Sequence, residues 1–345
     1  MLSNKESASK ADENIPYLCF VNYDHKNQIE TFDSKDNNPL KFPNQLLVEI
    51  EKQIALTDVS FDRIPQNIPK INLQQTISKK TYIEQVERLK QYIQQGDIYE
   101  INYCMAFEAH DIDINPIAMF RALNEISLAP YAALAKFNKH WLLSSSPELF
   151  LSKRFNNLIT KPIKGTAKRS TTINEDDAIK KRLQSNLKER TENVMIVDVC
   201  RNDLSRIAKK GSVTVPSLFE IESYQQVHQM VSTVKCELKA GASFNDILTS
   251  TFPMASMTGA PKIRAMQLID EFELYNRNAY SGTLGYINSN TDFDLNVLIR
   301  SIFYNEEAKY LSFSVGSAIT ATCNAEEEYE ECMLKAKAMM QVLGC

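Results

Sequence analysis

The chain has 345 residues, of which 43% are hydrophobic and 24% charged, and its formal net charge is −4. This composition is ordinary for a globular protein long enough to bury a sizeable core. No long basic cluster is present, which argues against a nucleic-acid partner. No stretch approaches the roughly 18 apolar residues of a membrane span, and the polar start of the chain lacks a signal-peptide core.

The cysteines indicate a reducing compartment. All seven are scattered, none forms a CxxC pair, and their number is odd. Reduced thiols in a cytoplasmic protein fit this pattern best. We expect residues 1–80 to be a short N-terminal segment that is partly disordered and contributes to the fold. Residues 81–345 should form the main domain.

Hydrophobic patterning predicts interleaved helices and strands. In chain order these are a strand at Tyr17–Tyr23, a helix near Asn44–Leu56, a helix at Thr81–Gln95, a strand at Ile98–Ala109, paired strands at Trp141–Ser146 and Glu148–Ser152, a helix at Asp176–Arg201, a helix at Lys262–Phe272, strands at Tyr286–Asn288, Asn296–Tyr304 and Leu311–Ala318, and a helix at Glu326–Leu343. The hairpin-like strands favour an α+β fold with largely antiparallel sheets. Neither GxGxxG nor a P-loop, HExxH or GxSxG motif is present.

Two of the predicted helices carry glutamates spaced three residues apart. One has Glu189 and Glu192, and the other has Glu328 and Glu331. Residues at i and i+3 share a helix face, so two such faces could present four carboxylates to one Mg²⁺ ion. Taken alone, each pair is more often a solvated helix face.

Three further features allow a chemical or a structural interpretation. Lys164 lies between Ile163 and Gly165, with Lys161 nearby. An apolar, cation-rich setting would lower the pKa of Lys164 and make its amine a nucleophile. A lysine in a surface turn would have no such role. The segment 258–262 leads into a helix and either binds an anion through free N–H groups or merely caps that helix. His228 is either a proton shuttle or a structural histidine.

In this order, the motifs resemble those of the chorismate-utilising enzymes, which include aminodeoxychorismate, anthranilate, isochorismate and salicylate synthases. The matching segments are Gly96–Asn102, Ser146–Phe150, Pro162–Thr166, Glu189–Arg206, His228–Val234, Thr258–Met266, Tyr280–Ile287 and Glu328–Ala336. The resemblance implies a four-layer α/β/β/α fold with two packed, largely antiparallel sheets. It makes residues 81–345 a chorismate-binding catalytic domain.

The resemblance also implies a set of site residues. Mg²⁺ would hold the ring carboxylate of chorismate, with Glu192 and Glu331 as principal ligands and Glu189 and Glu328 beside them. His228 matches the family's active-site histidine. The expected substrate contacts are Ser256, Thr258, Tyr280, Arg300, Gly316 and Lys335. Cationic side chains among them suit a dianionic substrate, because charge-assisted hydrogen bonds to carboxylates are strong.

Two positions favour one branch of the family. Water-adding members carry a lysine where this chain has Glu100, and anthranilate synthases read Pro-Ile-Ala-Gly-Thr where this chain has Lys164. A lysine at that position resembles component I of the aminodeoxychorismate synthases. There the amine attacks C2 of chorismate, an acid matching Glu148 protonates the departing 4-hydroxyl, and ammonia then expels the lysine.

That branch makes 4-amino-4-deoxychorismate, a precursor of p-aminobenzoate and folate, with ammonia from a glutamine amidotransferase subunit. The alternatives are an anthranilate synthase component I, another chorismate-converting synthase, or a non-catalytic chorismate-binding subunit. Ser317 and Ala318 stand where relatives have glycine, and the added methyl of Ala318 would crowd a backbone contact with substrate. The N-terminal part is short for this branch, so we expect the amidotransferase docking surface to be less complete than in relatives.

Overall fold

A computed structural model describes residues 16–33, 39–53, 71–225 and 227–345. The strands are β1 (Tyr17–Val21), β2 (Gln45–Glu49), β3 (Gln74–Gln75), β4 (Glu100–Ala109), β5 (Tyr131–Phe137), β6 (His140–Ser146), β7 (Leu149–Arg154), β8 (Asn157–Lys161), β9 (Ile163–Lys168), β10 (Thr214–Ser223), β11 (Val227–Glu237), β12 (Gly259–Ala260), β13 (Thr283–Ile287), β14 (Phe293–Asn296), β15 (Ser301–Asn305) and β16 (Tyr310–Thr320). The helices are α1 (Lys26–Ile29), α2 (Lys79–Gln94), α3 (Pro116–Ser127), α4 (Ile173–Ser185), α5 (Leu187–Ser205), α6 (Phe244–Thr251), α7 (Lys262–Phe272) and α8 (Ala325–Val342). Within these ranges, no helix is long and apolar enough to cross a membrane.

The strands form two sheets whose pairings are antiparallel throughout the described chain. The first sheet has the order β10-β11-β8-β7-β14-β13-β1-β2, with β9 also on β11, and the second has the order β12-β4-β16-β15-β6-β5, with β3 on β4. The sheets face each other, since Phe20 of β1 and Phe137 of β5 pack with ring centroids 5.5 Å apart. Helices α4 and α5 cover the first sheet, and α2 and α8 cover the second. The predicted α+β fold with four layers is confirmed.

Local sequence explains why α8 begins and which face it buries. The Asn324 side chain accepts hydrogen bonds from the backbone N–H groups of Glu326 and Glu327, which caps the helix. Tyr329, Cys332 and Ala336 recur at helical spacing and are buried against the second sheet. The helices predicted at Thr81–Gln95 and Lys262–Phe272 are likewise present as α2 and α7.

Three predicted elements are wrong in ways that share one cause, the tertiary context. Residues 45–49 form β2 rather than a helix, because they pair in register with β1. The long helix predicted at Asp176–Arg201 is two helices, broken where the extended Asn186 caps α5 by accepting from the Glu189 backbone N–H. The strands predicted as a pair at Trp141–Ser146 and Glu148–Ser152 belong to different sheets. Residues 1–15 lie outside the described ranges.

The strand predicted at Asn296–Tyr304 is also divided, and the division positions the functional site. Residues 297–300 carry the chain from β14 in the first sheet to β15 in the second. The segment between β6 and β7 makes the same transition beside it: the Val297 N–H donates to the Glu148 carbonyl at 3.0 Å, and the Ser146 hydroxyl donates to the Val297 carbonyl. The chain therefore passes between the two sheets at two neighbouring segments, one of which carries Glu148 and the other Arg300.

Candidate active site

Lys164 joins the two sheets and a helix. It lies on β9 and is 9% exposed, and its Nζ is 2.5 Å from Oε1 of Glu100 at the start of β4 and 4.0 Å from Oε2 of Glu192 on α5. The neighbouring Lys161 pairs instead with Glu222. The setting of Lys164 is thus buried and anionic, which is neither the cation-rich setting nor the surface turn that the sequence left open. Burial alone would lower the pKa of Lys164, but the charges of Glu100 and Glu192 outweigh it and raise that pKa.

Gly165 makes room for the helix beside this lysine. Its φ of +82° lies in the left-handed region, and a Cβ there would lie 2.9 Å from Oε2 of Glu189 on α5 and 3.1 Å from Leu183 on α4. A larger residue would therefore be strained by this φ and would force the Glu189 side chain to shift.

Glu148 has the properties of a general acid. It is 5% exposed and accepts a hydrogen bond of 2.6 Å from the Ser256 hydroxyl. Burial raises the pKa of Glu148 to about 7, and the Ser256 hydrogen bond and the Lys164 charge offset only part of that effect. A carboxyl group of this kind can hold a proton at neutral pH and release it during a reaction.

Lysines link the two helices that carry the glutamate pairs. Lys188 Nζ lies 2.7 Å from Oε1 of Glu328 and 3.9 Å from Oε1 of Glu192, while Lys335 Nζ lies 2.7 Å from Oε1 of Glu331. Burial raises the pKa of Glu192 to about 7. It also raises the pKa of Glu189, which the charge of Glu331 raises further. Burial therefore makes it costly for all of these carboxyl groups to be ionised at once unless cations lie beside them.

The side chains fit a magnesium ion by chemistry, although they are not drawn together around one. In the described ranges, no three His, Cys, Asp or Glu side chains converge closely enough to bind a metal as they stand. However, the buried oxygens Glu192 Oε1 and Glu328 Oε2 have no hydrogen-bond partner among the described residues. Buried polar atoms are normally satisfied, and carboxylate oxygens are the ligands that Mg²⁺ prefers. The chemistry of these oxygens therefore fits a hard cation.

Arg300 is an unpaired cation at the crossover. Its φ of +52° is unusual for a non-glycine residue, and no described residue forms a hydrogen bond or ion pair with its guanidinium. Tyr280 and Glu331 are close enough for their charges to act on it. A guanidinium held in a strained conformation without a protein partner is suited to an anionic ligand.

Lys335, Gly316 and Ala318 lie near one end of β16. The Lys335 ammonium donates to the Gly316 carbonyl at 2.9 Å. A Cβ on Gly316 would collide with Cys104 Sγ on the neighbouring strand, so glycine is needed there for strand packing. The Ser317 hydroxyl hydrogen-bonds Tyr82 of α2 at 2.8 Å, so its side chain faces the helix layer, and alternation places Ala318 on the opposite face.

The structure does not bring His228 or Thr258 into this cluster. Both ring nitrogens of His228 are engaged, Nδ1 by the Ser223 hydroxyl at 2.9 Å and Nε2 by Asp176 Oδ1 at 2.8 Å. The Thr258 hydroxyl is buried and lies 3.2 Å from the backbone carbonyls of Met254 and Ala255. Their predicted roles in proton transfer and substrate binding stay predictions without a supporting contact.

Two residues in the site escaped the sequence reasoning. Lys188 directly precedes Glu189 and resembles any helical surface lysine. Gln229 is paired with Thr166 on β9, is 3% exposed, and has an Oε1 without a hydrogen-bond partner among the described residues. Because side chains alternate along a strand, Gln229 faces away from the Asp176 side that His228 occupies. Strand alternation was therefore the signal in the sequence that Gln229 and His228 face opposite sides of the sheet.

Comparison with known proteins agrees with this geometry. The family model described as chorismate binding enzyme matches residues 3–341. The chain is 38% identical over 299 residues to the chloroplastic aminodeoxychorismate synthase of Arabidopsis thaliana, covering 84% of this chain and 32% of that protein. It is 38% identical over 269 residues to anthranilate synthase component 1 of Acetivibrio thermocellus, covering 77% and 53%. The chain thus spans about a third and about half of these two relatives.

A solved structure shows the same fold. The crystal structure of anthranilate synthase component I from Streptococcus pneumoniae TIGR4 matches with a TM-score of 0.81 and 25% identity, covering 98% of this chain and 83% of that one. The family match over residues 3–341 and the shared two-sheet sandwich point to the same family. The chain therefore belongs to the family of chorismate-binding enzymes.

Proposed function

We propose that this chain converts chorismate and ammonia to 4-amino-4-deoxychorismate, as the synthase component of an aminodeoxychorismate synthase. The observation that carries the proposal is the position of Lys164, a buried amine 2.5 Å from Glu100 and within electrostatic reach of Glu148. Identity to relatives does not separate the branches, since an aminodeoxychorismate synthase and an anthranilate synthase both match at 38%. The side chains of the site favour the aminodeoxychorismate branch, because Lys164 supplies a nucleophile where the resemblance gives anthranilate synthases an alanine.

The proposed reaction begins when the Lys164 ammonium passes a proton to the Glu100 carboxylate that pairs with it, which leaves Nζ neutral. The Nζ lone pair bonds to C2 of chorismate, the ring double bonds shift, and the C4–oxygen bond breaks. The Glu148 carboxyl donates its proton to the departing hydroxyl, which leaves as water. Ammonia then bonds to C4, the double bonds shift back, and the C2–Nζ bond breaks to free Lys164. The new ammonium at C4 returns a proton to Glu148, and Glu100 returns its proton to Lys164. Burial gives Glu148 the raised pKa that the acid role needs.

Substrate binding would use the cations that surround this lysine. Arg300 has no described partner and would pair with one carboxylate of chorismate, and Lys335 lies nearby on α8. Glu192 and Glu331, with Glu189 and Glu328 beside them, would hold Mg²⁺. When bound, the ion would fix the ring carboxylate and neutralise its charge. Ser256 would orient Glu148 through its hydrogen bond.

The proposal includes a partner and a setting. The relative from Acetivibrio thermocellus is named a component 1, which implies a second component. For this chain we propose a glutamine amidotransferase that supplies ammonia, in folate biosynthesis. The seven cysteines are free thiols, which supports a reducing compartment such as the cytoplasm.

The test is to identify the product. Purified protein is incubated with chorismate, MgCl₂ and an ammonium salt, and the mixture is read by mass spectrometry before and after addition of an aminodeoxychorismate lyase. The proposal expects aminodeoxychorismate first and fluorescent p-aminobenzoate only after the lyase. Formation of anthranilate alone would assign the chain to that other branch. Chorismate binding by calorimetry without any product would make it a non-catalytic subunit.

A further inference from the structure

Lys188 occupies the gap between the two glutamate pairs. Its ammonium lies 2.7 Å from Oε1 of Glu328 on α8 and 3.9 Å from Oε1 of Glu192 on its own helix α5. The ion pair with Glu328 therefore links a helix that covers the first sheet to a helix that covers the second. We propose that Lys188 is an exchangeable internal cation, which neutralises Glu192 and Glu328 until a divalent cation replaces it. This inference rests on the magnesium site of the proposed function.

The exposure of the three side chains indicates which of them can move. The side chains of Glu328 and Glu192 are 2% and 7% exposed, whereas that of Lys188 is 43% exposed. The carboxylates are buried within packed helices, while the lysine has a flexible stem and a side chain that is partly open to solvent. Lysine can therefore extend its ammonium into solvent at little cost, and the carboxylates cannot follow.

The charge balance explains why a cation is needed at all. Glu328 Oε2 and Glu192 Oε1 are buried, and no residue of the described ranges forms a hydrogen bond with either oxygen. Buried carboxylates without a counter-ion are costly, because the lost hydration is not replaced. Lys188 reaches only one oxygen of Glu328 closely and approaches Glu192 from 3.9 Å. Lys188 thus balances the negative charge of the two glutamates but forms no hydrogen bond with Glu328 Oε2 or Glu192 Oε1.

The other cations nearby do not take the place of Lys188. Lys164 approaches Glu192 from its other oxygen, Oε2, and is held by Glu100. Lys335 is bound to Glu331 and to the Gly316 carbonyl. Among the described residues, Lys188 is the cation that contacts Glu328 and Glu192 together. Removing its charge should leave these carboxylates free to bind a metal more tightly.

Calorimetry with magnesium alone tests this inference. MgCl₂ is titrated into the whole chain without chorismate, and thermal unfolding is followed in EDTA and in MgCl₂. Lys188→Met, which keeps the stem and loses the charge, should bind Mg²⁺ about fivefold or more tightly than the wild type. It should also unfold at a lower temperature in EDTA and recover with Mg²⁺. The control is Lys180→Met, a partly exposed lysine of α4 paired with Asp177, which should behave like the wild type.

Lys188→Arg keeps the charge and should bind Mg²⁺ as the wild type does. If Lys188→Met does not fold, Lys188→Gln takes its place, with the same expectation. Unchanged or weaker Mg²⁺ binding in the uncharged variant would overturn the inference, and so would an unchanged melting temperature in EDTA. Product identity is a separate readout. If the wild type makes aminodeoxychorismate and Lys188→Met binds Mg²⁺ as the wild type does, the proposed function stands and this inference fails.

Discussion

Lys164 and Glu100 form a buried ion pair that spans the two sheets, with 2.5 Å between Nζ and Oε1. Glu100 is 1% exposed, and its second oxygen has no hydrogen-bond partner within the described chain. The pair fixes the amine at the crossover next to Glu148. The negative charge of Glu100 therefore holds the amine that the proposed reaction uses as its nucleophile.

Replacing Glu100 with Gln tests this positioning role. The amide keeps the shape and one hydrogen bond but loses the charge, so Lys164 should be held less firmly. We expect kcat for amination to fall by up to about 10²-fold, with little change in the KM for chorismate. Steady-state kinetics with ammonium chloride measures both. Glu108→Gln, on the same strand and hydrogen-bonded to Tyr310, is the matched control and should keep the wild-type kcat.

The acid role of Glu148 predicts a pH dependence. Its pKa is raised to about 7 by burial, so the carboxyl group is protonated below that pH and ionised above it. At constant free ammonia, kcat/KM for chorismate should be level below pH 7 and fall as the pH rises further. Glu148→Gln should lose about 10²- to 10⁴-fold in rate and lose this decline. A decline that persists in the Gln variant would assign it to another group.

Arg300 should contribute to binding far more than to folding. Its guanidinium has no described hydrogen-bond or ion-pair partner, so little protein structure depends on it. A charge-assisted hydrogen bond to a ligand contributes roughly 1.5–3 kcal/mol. We expect Arg300→Met to raise the dissociation constant for chorismate by about 10- to 100-fold. Thermal unfolding without ligand should stay near the wild-type value, and a large drop in melting temperature would show that Arg300 is structural.

Arg277 should have the opposite profile. It is 3% exposed, pairs with Glu273 at 2.6 Å, and donates to the backbone carbonyls of Met257 and Asn102. These bonds tie the turn that carries Ser256 to β4. Arg277→Met should cost about 3–5 kcal/mol in the free energy of unfolding, because it leaves Glu273 buried and unpaired.

Urea denaturation measures this loss. Removing the charge of Glu273 as well should restore part of the stability, so Arg277→Met combined with Glu273→Gln is the companion variant. A single variant as stable as the wild type would mean that the pair adds nothing to the core.

Much of this architecture could be predicted from the sequence, since periodicity located α2, α7 and α8 closely. The errors have a physical pattern. Asn186 and Arg300 interrupt elements whose apolar spacing continues across them, because one caps a helix and the other turns the chain from one sheet to the other. Such breaks depend on contacts between segments distant in sequence. Periodicity within one segment does not contain that information.

The site shows the same division. The spacing of the glutamates predicted that each pair shares one helix face. It did not show that Lys188 of α5 would reach Glu328 on α8, or that Lys164 of β9 would approach Glu192 on α5. The resemblance suggested His228 as an active-site residue, whereas in the fold its ring is bound to Ser223 and Asp176. Residue type showed which chemistry was available, and the fold determined which side chains share a cleft.

The most direct test of the central claim is whether chorismate becomes bound to Lys164. Protein is incubated with chorismate and MgCl₂ without ammonia, quenched with acid, and analysed as intact protein and as peptides by mass spectrometry. Covalent attack predicts a species heavier by chorismate minus water, located on the peptide that carries Lys164 and absent in Lys164→Ala. It should disappear when ammonium salt is added before the quench. An unmodified Lys164, in protein that still forms aminodeoxychorismate once ammonia is present, would contradict the account.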